Sequence, residues 1–336
     1  LAAGREIVLG TPAGKSSVTV GDENPAGGSF YCTKDGTTLL LVPSWRIRDV
    51  LSKDAAALRD KRVLPFEKAG LKEVELKTPA LSVLLERRGS KWHLKTPFAD
   101  EADASRVDEI LDALGNARVK SFEEPGAKQA PFGFGTPALV VSLRNADGMV
   151  STLTVGAKKA DTTYYAKSSL RPDVVEIEQD LVTRIPGSAA DLRNTALFSM
   201  ENASVAAVSV SGPSGTVSLS RVKDGWTVGG RPAAKEKVES YLSDLRFLRA
   251  SSFVAPTDAL LKKYALAPGV LTVRVSSAGG IREEAVFGLK TGKELYAYLP
   301  ARNVIATLYP EEFARLDKKA GDFAPEGFIV ALGQVG

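Results

Sequence analysis

Apolar and polar residues alternate through Val74/Leu76, Val83/Leu85 and Trp92/Leu94, and the spacing then lengthens to Val107, Ile110, Leu111 and Leu114. Alternation sends successive side chains to opposite faces of a strand, as in an antiparallel sheet with one face in the core. The i, i+3, i+4, i+7 series that follows gives a helix one apolar face. The same succession returns as Val208/Val210, Val217/Leu219 and Trp226/Val228, then Val238, Tyr241, Leu242, Leu245 and Leu248. All three strand pairs keep one offset, 134 positions (226 − 92 for the tryptophans), which is the signature of an internal repeat. At the helix the offset falls to 131, so three residues are lost in the loop before it. Asp103 or Ser105 is placed to cap the first helix; the second has Ala233-Ala234 there, and its first turn is expected to fray.

A second strand group follows each helix. An aromatic connection, Pro131-Phe132-Gly133-Phe134 or Lys263-Tyr264-Ala265-Leu266, leads to Leu139/Val141/Leu143 or Leu271/Val273/Val275. Asp147-Gly148 and Gly279-Gly280 then supply the positive-φ residues of tight hairpins. Next come Leu153-Thr154-Val155-Gly156, Tyr164-Tyr165-Ala166 and Val174–Ile177 in one copy, and Ala285–Gly288, Tyr296-Ala297-Tyr298 and Val304-Ile305 in the other. The chain opens on a further such group: Glu6–Gly10, Phe30-Tyr31-Cys32 and Leu39–Val42, then a helical stretch through Ile47, Val50 and Leu51 and a turn from Ala55 to Leu58. Leu58-Arg59-Asp60 closes that group as Leu192-Arg193-Asn194 closes the next. The organisation read from this is a back half-repeat at 1–66, full repeats at 67–198 and 199–325, and a tail strand at 326–336. The fold class is α+β: tandem repeats of mostly antiparallel sheet with one major amphipathic helix per repeat.

Composition narrows the function classes. With 44% hydrophobic residues in 336 the chain can bury ample core, and a net charge of +4 without a basic run gives no footprint for nucleic acid. The one cysteine, Cys32, leaves no internal disulfide framework. No stretch approaches the roughly 18 apolar residues of a membrane span. Because Leu1 falls in the middle of a repeat, a piece carrying a signal or anchor is expected ahead of it.

The chain resembles a bacterial family, domain of unknown function 4340. The residues that carry the resemblance are the tryptophan strand, the amphipathic helix, Ser121-Phe122-Glu123-Glu124 and Ser252-Phe253-Val254-Ala255, the aromatic loop, Tyr164-Tyr165-Ala166 and Leu295-Tyr296-Ala297, and the Leu-Arg-Asp or Leu-Arg-Asn close. The resemblance implies an N-terminal membrane segment before repeats displayed outside the cytoplasm, and genes beside ABC-type transporters of the gliding-motility or auxiliary kind. It implies no established activity.

The candidate chemistry is sparse. Gly14-Lys15-Ser16 matches the end of a P-loop, but position 9 is Leu9 rather than glycine and no helix follows; its place is read as a hairpin connection, equivalent to Gly156 and Gly288. His93 alternates with Trp92 and Leu94, which puts it on the solvent side, and its counterpart is Thr227. One histidine and one cysteine do not make a zinc site. The pairs Asp100-Glu101, Asp108-Glu109, Glu123-Glu124 and Glu283-Glu284 read as solvated faces, since neighbours in sequence seldom flank a glycosidic bond. Trp92 and Trp226 read as core, and Asn202-Ala203-Ser204 as a strand lead-in. No catalytic, cofactor or metal residues are assigned. The expected function is a non-enzymatic scaffold or interaction protein, periplasmic or otherwise extracytoplasmic and membrane-anchored, whose partner is an ABC-transporter-type complex. A glycan- or lipid-binding module and a carboxylate-dependent hydrolase stand as alternatives. Tyr164, Tyr165, Tyr296 and Tyr298 are the candidate interaction surface, to the extent that they are exposed.

Overall fold

The structure is a computed structural model that describes residues 4–123 and 132–325. The expected tail strand, Glu124 and Pro131 lie outside the described residues. The elements, in chain order, begin with β1 (Arg5–Thr11), β2 (Gly14–Glu23), β3 (Ser29–Lys34) and β4 (Thr38–Pro43), followed by α1 (Ser44–Leu51) and α2 (Ala55–Leu58). Next come β5 (Leu71–Lys77), β6 (Ser82–Arg88), β7 (Lys91–Thr96), β8 (Asp100–Glu101), α3 (Ala104–Asn116) and β9 (Val119–Phe122). After these lie β10 (Leu139–Asn145), β11 (Val150–Ala160), β12 (Thr163–Ser168), β13 (Val174–Glu178) and α4 (Asp180–Thr183). The last part contains β14 (Val205–Gly212), β15 (Gly215–Val222), β16 (Gly225–Val228), β17 (Arg231–Ala233), α5 (Lys235–Phe247), β18 (Ser252–Val254) and α6 (Asp258–Lys263). It closes with β19 (Leu271–Ser277), β20 (Arg282–Thr291), β21 (Glu294–Leu299), β22 (Val304–Leu308) and α7 (Glu312–Leu316).

The chain divides into two compact units, Leu1–Gly70 with Ile110–Ile185, and Leu71–Glu109 with Pro186–Gly336. The first unit holds the meander β1-β2-β3-β4 and the series β10-β11-β12-β13-β9, all antiparallel. The second holds β8-β7-β6-β5 and the nine-stranded sheet β17-β16-β15-β14-β19-β20-β21-β22-β18. The two shorter series reproduce the two ends of the nine-stranded sheet strand for strand, so the repeat seen in the sequence is a repeat of pairing order.

Burial follows the alternation. Val74, Leu76, Val83, Leu85, Trp92 and Leu94 are all buried, as are Val208, Val210, Val217, Leu219, Trp226 and Val228. In the second unit the buried stripe of α5, Val238, Tyr241, Leu242 and Leu245, joins one core with β14, β15 and β16 and with Leu271, Phe287 and Leu295 of the second strand group. Tyr241 also donates from its hydroxyl to the Leu316 carbonyl at 2.9 Å and meets the Phe323 ring edge-on. Val107, Ile110, Leu111 and Leu114 of α3 are buried too. Asp103 caps α3, accepting from the Ser105 and Arg106 amides, whereas α5 starts at Ala234 with no side-chain cap.

One equivalence read from the sequence is corrected. Gly14 is the turn glycine between β1 and β2, at φ +138°, and its counterpart is Gly148 between β10 and β11, not Gly156. Gly156 and Gly288 sit inside strands, directly after Val155 and Phe287, which pair with Ala166 and Ala297. Val20 pairs with Cys32 in the same way, so Gly21 is their true counterpart. In the first group a hydrophobic run ending in glycine occurs in two adjacent strands, Ile7–Gly10 in β1 and Val18–Gly21 in β2, and pairing register alone separates them.

Replacing Leu242 by Ala removes a buried side chain from the middle of the α5 core and is expected to cost about 2–5 kcal/mol. A denaturant melt whose midpoint is unchanged from the parent would mean that this face of α5 does not bear on the core.

Candidate functional site

Asp100 is the one charged residue buried outright among the described residues, and two arginines close on it. Arg193 Nε donates to Oδ2 at 2.7 Å, and Arg302 donates from Nε to Oδ1 at 2.7 Å and from Nη2 to Oδ2 at 3.1 Å. Asp100 comes from β8, Arg193 from the extended chain after the 3-10 turn Ala189–Leu192, and Arg302 from the turn between β21 and β22. The Glu101 amide also donates to Asp100 Oδ1, so the carboxylate is fully ligated. Arg302 spends its other donors on the carbonyls of Asn194 (2.7 Å) and Ala196 (2.9 Å). The Arg193 guanidinium lies between the rings of Phe98 and Phe253, at 4.4 and 4.3 Å, and Arg302 shares Phe253 at 4.8 Å. Burial raises the Asp100 pKa and is the largest single influence, but the hydrogen bonds and charges of Arg302 and Arg193 together outweigh it and hold the carboxyl below its ordinary value.

The same construction stands in the first unit. Arg59 and Arg171 share the Phe122 ring, at 3.8 and 5.2 Å, and Arg171 reaches the carbonyls of Arg62 (3.1 Å) and Asp60 (3.3 Å). Here Asp173, beside Arg171 in sequence, supplies the carboxylate, pairing with Arg59 and lying 3.7 Å from Arg171. Buried Arg171 Nε has no hydrogen-bond partner among the described residues, where Arg302 Nε has Asp100. Each clamp grips the chain that leaves the preceding strand group. In the second unit that segment also forms isolated bridges, Arg193 to Ala102 just past β8 and Ala196 to Arg249 between α5 and β18. A guanidinium stays protonated throughout the working pH range and Asp100 stays ionised, so the cluster is equipped to pin backbone rather than to shuttle protons.

The sequence motifs Leu-Arg-Asp and Leu-Arg-Asn contain Arg59 and Arg193 but give no role for them, and Arg171 and Arg302 go unnoticed. The available signal was their spacing, because Arg171 to Arg302 and Phe122 to Phe253 both repeat at 131 positions.

The tyrosine surface has to be revised. Tyr296 is buried, stacked on Tyr264 at 3.6 Å and 8°, with its hydroxyl donating to Glu294. Tyr164, Tyr165 and Tyr298 are half-buried, and Tyr165 takes the edge of Phe132 at 4.8 Å. The reason is the aromatic connection, which folds back over this strand in both copies: Leu260, Leu261, Tyr264 and Leu266 cover Tyr296, Tyr298 and Ile305 in the second unit. The connection crosses the strand glycines so closely that a Cβ on Gly288 would lie 1.8 Å from the Tyr264 oxygen, and one on Gly156 1.9 Å from that of Phe132.

The remaining candidates are occupied structurally. His93 is half-buried rather than solvated, registered between Glu86 and Glu101. Glu101 pairs with Lys91 and Asn194, Glu109 with Arg106, and Glu284 with Arg274, while Glu283 accepts from the amides of Ser199 and Met200. Glu123 and Glu176 share Lys159; the hydrogen bond from Ser121, with that from Lys159, lowers the Glu176 pKa to about 2 against the effect of burial. A cleft of about 320 Å³ beside the second clamp is lined by Trp92, Glu101, Ser199, Glu201, Arg246 and Arg249, and Glu201 in it pairs with Arg246 at 2.6 Å. Among the described residues no group of three His, Cys, Asp or Glu side chains could hold a metal ion.

Arg302→Ala strands a buried carboxylate and is expected to cost about 3–5 kcal/mol in a chemical melt. Because the folded pKa of Asp100 is depressed, its stabilisation is complete above the unfolded value of about 3.9 and is lost as pH falls through the folded value. Melts at stepped pH should therefore show an acid limb that Asp100→Asn flattens. Gly288→Ala is expected to lower stability by about 1–3 kcal/mol through the clash with Tyr264, while Gly10→Ala, with open space around it, leaves the melt in place.

The family model described as "Domain of unknown function (DUF4340)" matches residues 4–130 and again 92–269. Neither the curated proteins nor the solved structures yield a match. The two family matches overlap at residues 92–130, and together they span most of the sequence. The chain belongs to the DUF4340 family.

Proposed function

We propose that this protein is a non-enzymatic, extracytoplasmic and membrane-anchored scaffold or interaction protein that serves an ABC-type transporter or a motility-type membrane assembly. The observation that carries the reading is the recurrence of the arginine–phenylalanine clamp, in which one carboxylate meets two guanidinium groups and one of the arginines grips two backbone carbonyls. A polar cluster built twice to hold the chain is what a repeat protein needs, whereas a catalytic centre is ordinarily built once. The repeats proposed are 1–66 as a back half, 67–198 and 199–325 as full units with α3 and α5 as the major helix of each, and a tail from 326 to 336. The membrane setting and the transporter partner rest on the family resemblance. No helix among the described residues is long and apolar enough to cross a membrane, so an anchor would lie elsewhere.

The test is affinity recovery of the anchored full-length protein from solubilised membranes, with His93→Ala and Glu101→Gln variants beside it. Transporter subunits are expected to co-purify at undiminished yield with both variants. If instead the purified protein hydrolyses a glycan or ester and loses turnover on a single Asp or Glu substitution, the scaffold reading is wrong.

A further inference from the structure

The aromatic connection is built alike in both units, but its chemistry is not. Phe132 and Tyr264 each cross a strand glycine and cover a tyrosine, Tyr165 in the first unit and Tyr296 in the second. Two positions before that tyrosine, and therefore on the same face of the strand, stands Thr163 in the first unit and Glu294 in the second. A phenylalanine over a tyrosine, with threonine beside it, thus suffices to close this face of a sheet. The second unit adds a phenol and a carboxylate that packing does not call for.

Those added groups meet. The rings of Tyr264 and Tyr296 lie 3.6 Å apart between centroids and 8° from parallel, where Phe132 meets Tyr165 edge-on. Carbon atoms in contact sit about 3.5 Å apart, so so short a centroid distance leaves almost no sideways offset, and each carbon of one ring faces a carbon of the other. The Tyr296 hydroxyl donates to Glu294. Glu294 first, and the Tyr264 hydroxyl after it, hold the Tyr296 phenol above its ordinary pKa, so both hydroxyls lie at one end of the stack and the ortho carbons are paired as well. Backbone fixes the upper ring: the Tyr264 carbonyl accepts from the Leu289 amide at 3.0 Å, and its amide donates to the Leu260 carbonyl at 3.0 Å. Tyr296 is 8% exposed and Tyr264 half-buried, so Tyr264 is the ring that an oxidant in solution reaches.

We propose that Tyr264 and Tyr296 form a modification site at which a one-electron oxidant joins the two rings as dityrosine. Each tyrosine gives one electron to the oxidant and loses its phenolic proton, that of Tyr296 to Glu294 and that of Tyr264 to water. The two phenoxyl radicals, already face to face, form one carbon–carbon bond between ortho positions. Each ortho proton then moves to the oxygen of its own ring, which restores both hydroxyls. In sum two electrons reduce two equivalents of oxidant, two protons leave, and the product is two hydrogen atoms lighter. The bond ties the aromatic connection to β21 covalently. The first unit forms no such link, since Phe132 has no hydroxyl to oxidise. The proposal rests on the geometry of the second unit and is independent of the partner proposed above.

The experiment irradiates the full chain with tris(bipyridyl)ruthenium(II) and persulfate, which generates the ruthenium(III) oxidant, and reads dityrosine by its fluorescence and by mass spectrometry of a tryptic digest. The expected product joins peptides 264–274 and 294–302, is lighter by two hydrogen atoms than their sum, and fragments with the bond at Tyr296 rather than Tyr298. Tyr264→Phe, which copies Phe132, should abolish it while the thermal melt is held. Glu294→Gln, which keeps the shape but takes up the proton poorly, should slow its formation by about tenfold or more. The cross-linked chain should also unfold at a higher denaturant midpoint, because the link closes a loop in the unfolded chain between residues 32 positions apart (296 − 264 = 32). Cross-links only between chains, a bond to a different tyrosine, or equal yield from Tyr264→Phe overturns the proposal, and a rate indifferent to Glu294→Gln overturns the proton path.

Discussion

A carboxylate removed from water is tolerable when cations and hydrogen-bond donors replace its hydration, and Asp100 meets that condition in full. Two guanidinium groups and one amide hold it, and a phenylalanine ring backs each guanidinium. The arginines carry the consequence outward, because Arg302 has donors left for Asn194 and Ala196 once the carboxylate is satisfied. The segment between two strand groups is thus fixed by the same side chains that neutralise the buried acid. Such clusters contribute less net stability than their contacts suggest, since desolvation of three ions opposes them. Their product is position: the chain leaves one strand group along one path.

The first unit shows how the device adapts. Asp173 replaces the distant Asp100 with a carboxylate from the same loop as Arg171, and the arginine pair, the ring and the two carbonyls stay as they are. The constant part is therefore the grip of arginine on backbone, and the acid is exchangeable. The covering of the sheet behaves likewise. Phe132 lies edge-on to Tyr165 and Tyr264 lies flat on Tyr296, yet both cross a glycine in the same strand position. Aromatic geometry varies because offset-stacked and edge-on pairs are close in energy, whereas the glycine is fixed by backbone contact.

The two faces of a strand group are closed by different elements. Each sheet has two faces, and burial of one by a helix does nothing for the other. In the second unit the second face is closed by α6 and the aromatic connection, and on the first meander it presents Leu39 and Leu41 to solvent.

The sequence by itself determined the elements and their recurrence: the strand alternations, the buried stripes of α3 and α5, the Asp103 cap, the turn glycines Gly148 and Gly280, and the core placement of both tryptophans. Those are properties of neighbouring residues, and a periodicity is visible wherever neighbours are compared. Tertiary structure decided what gathers. Arg302 meets Asp100 across 202 residues, Tyr296 is buried because α6 folds back over it, and Gly21 rather than Gly14 matches Gly156 because strand pairing sets the count. No local pattern reports such meetings, since which distant side chains share a site depends on the path of the backbone between them.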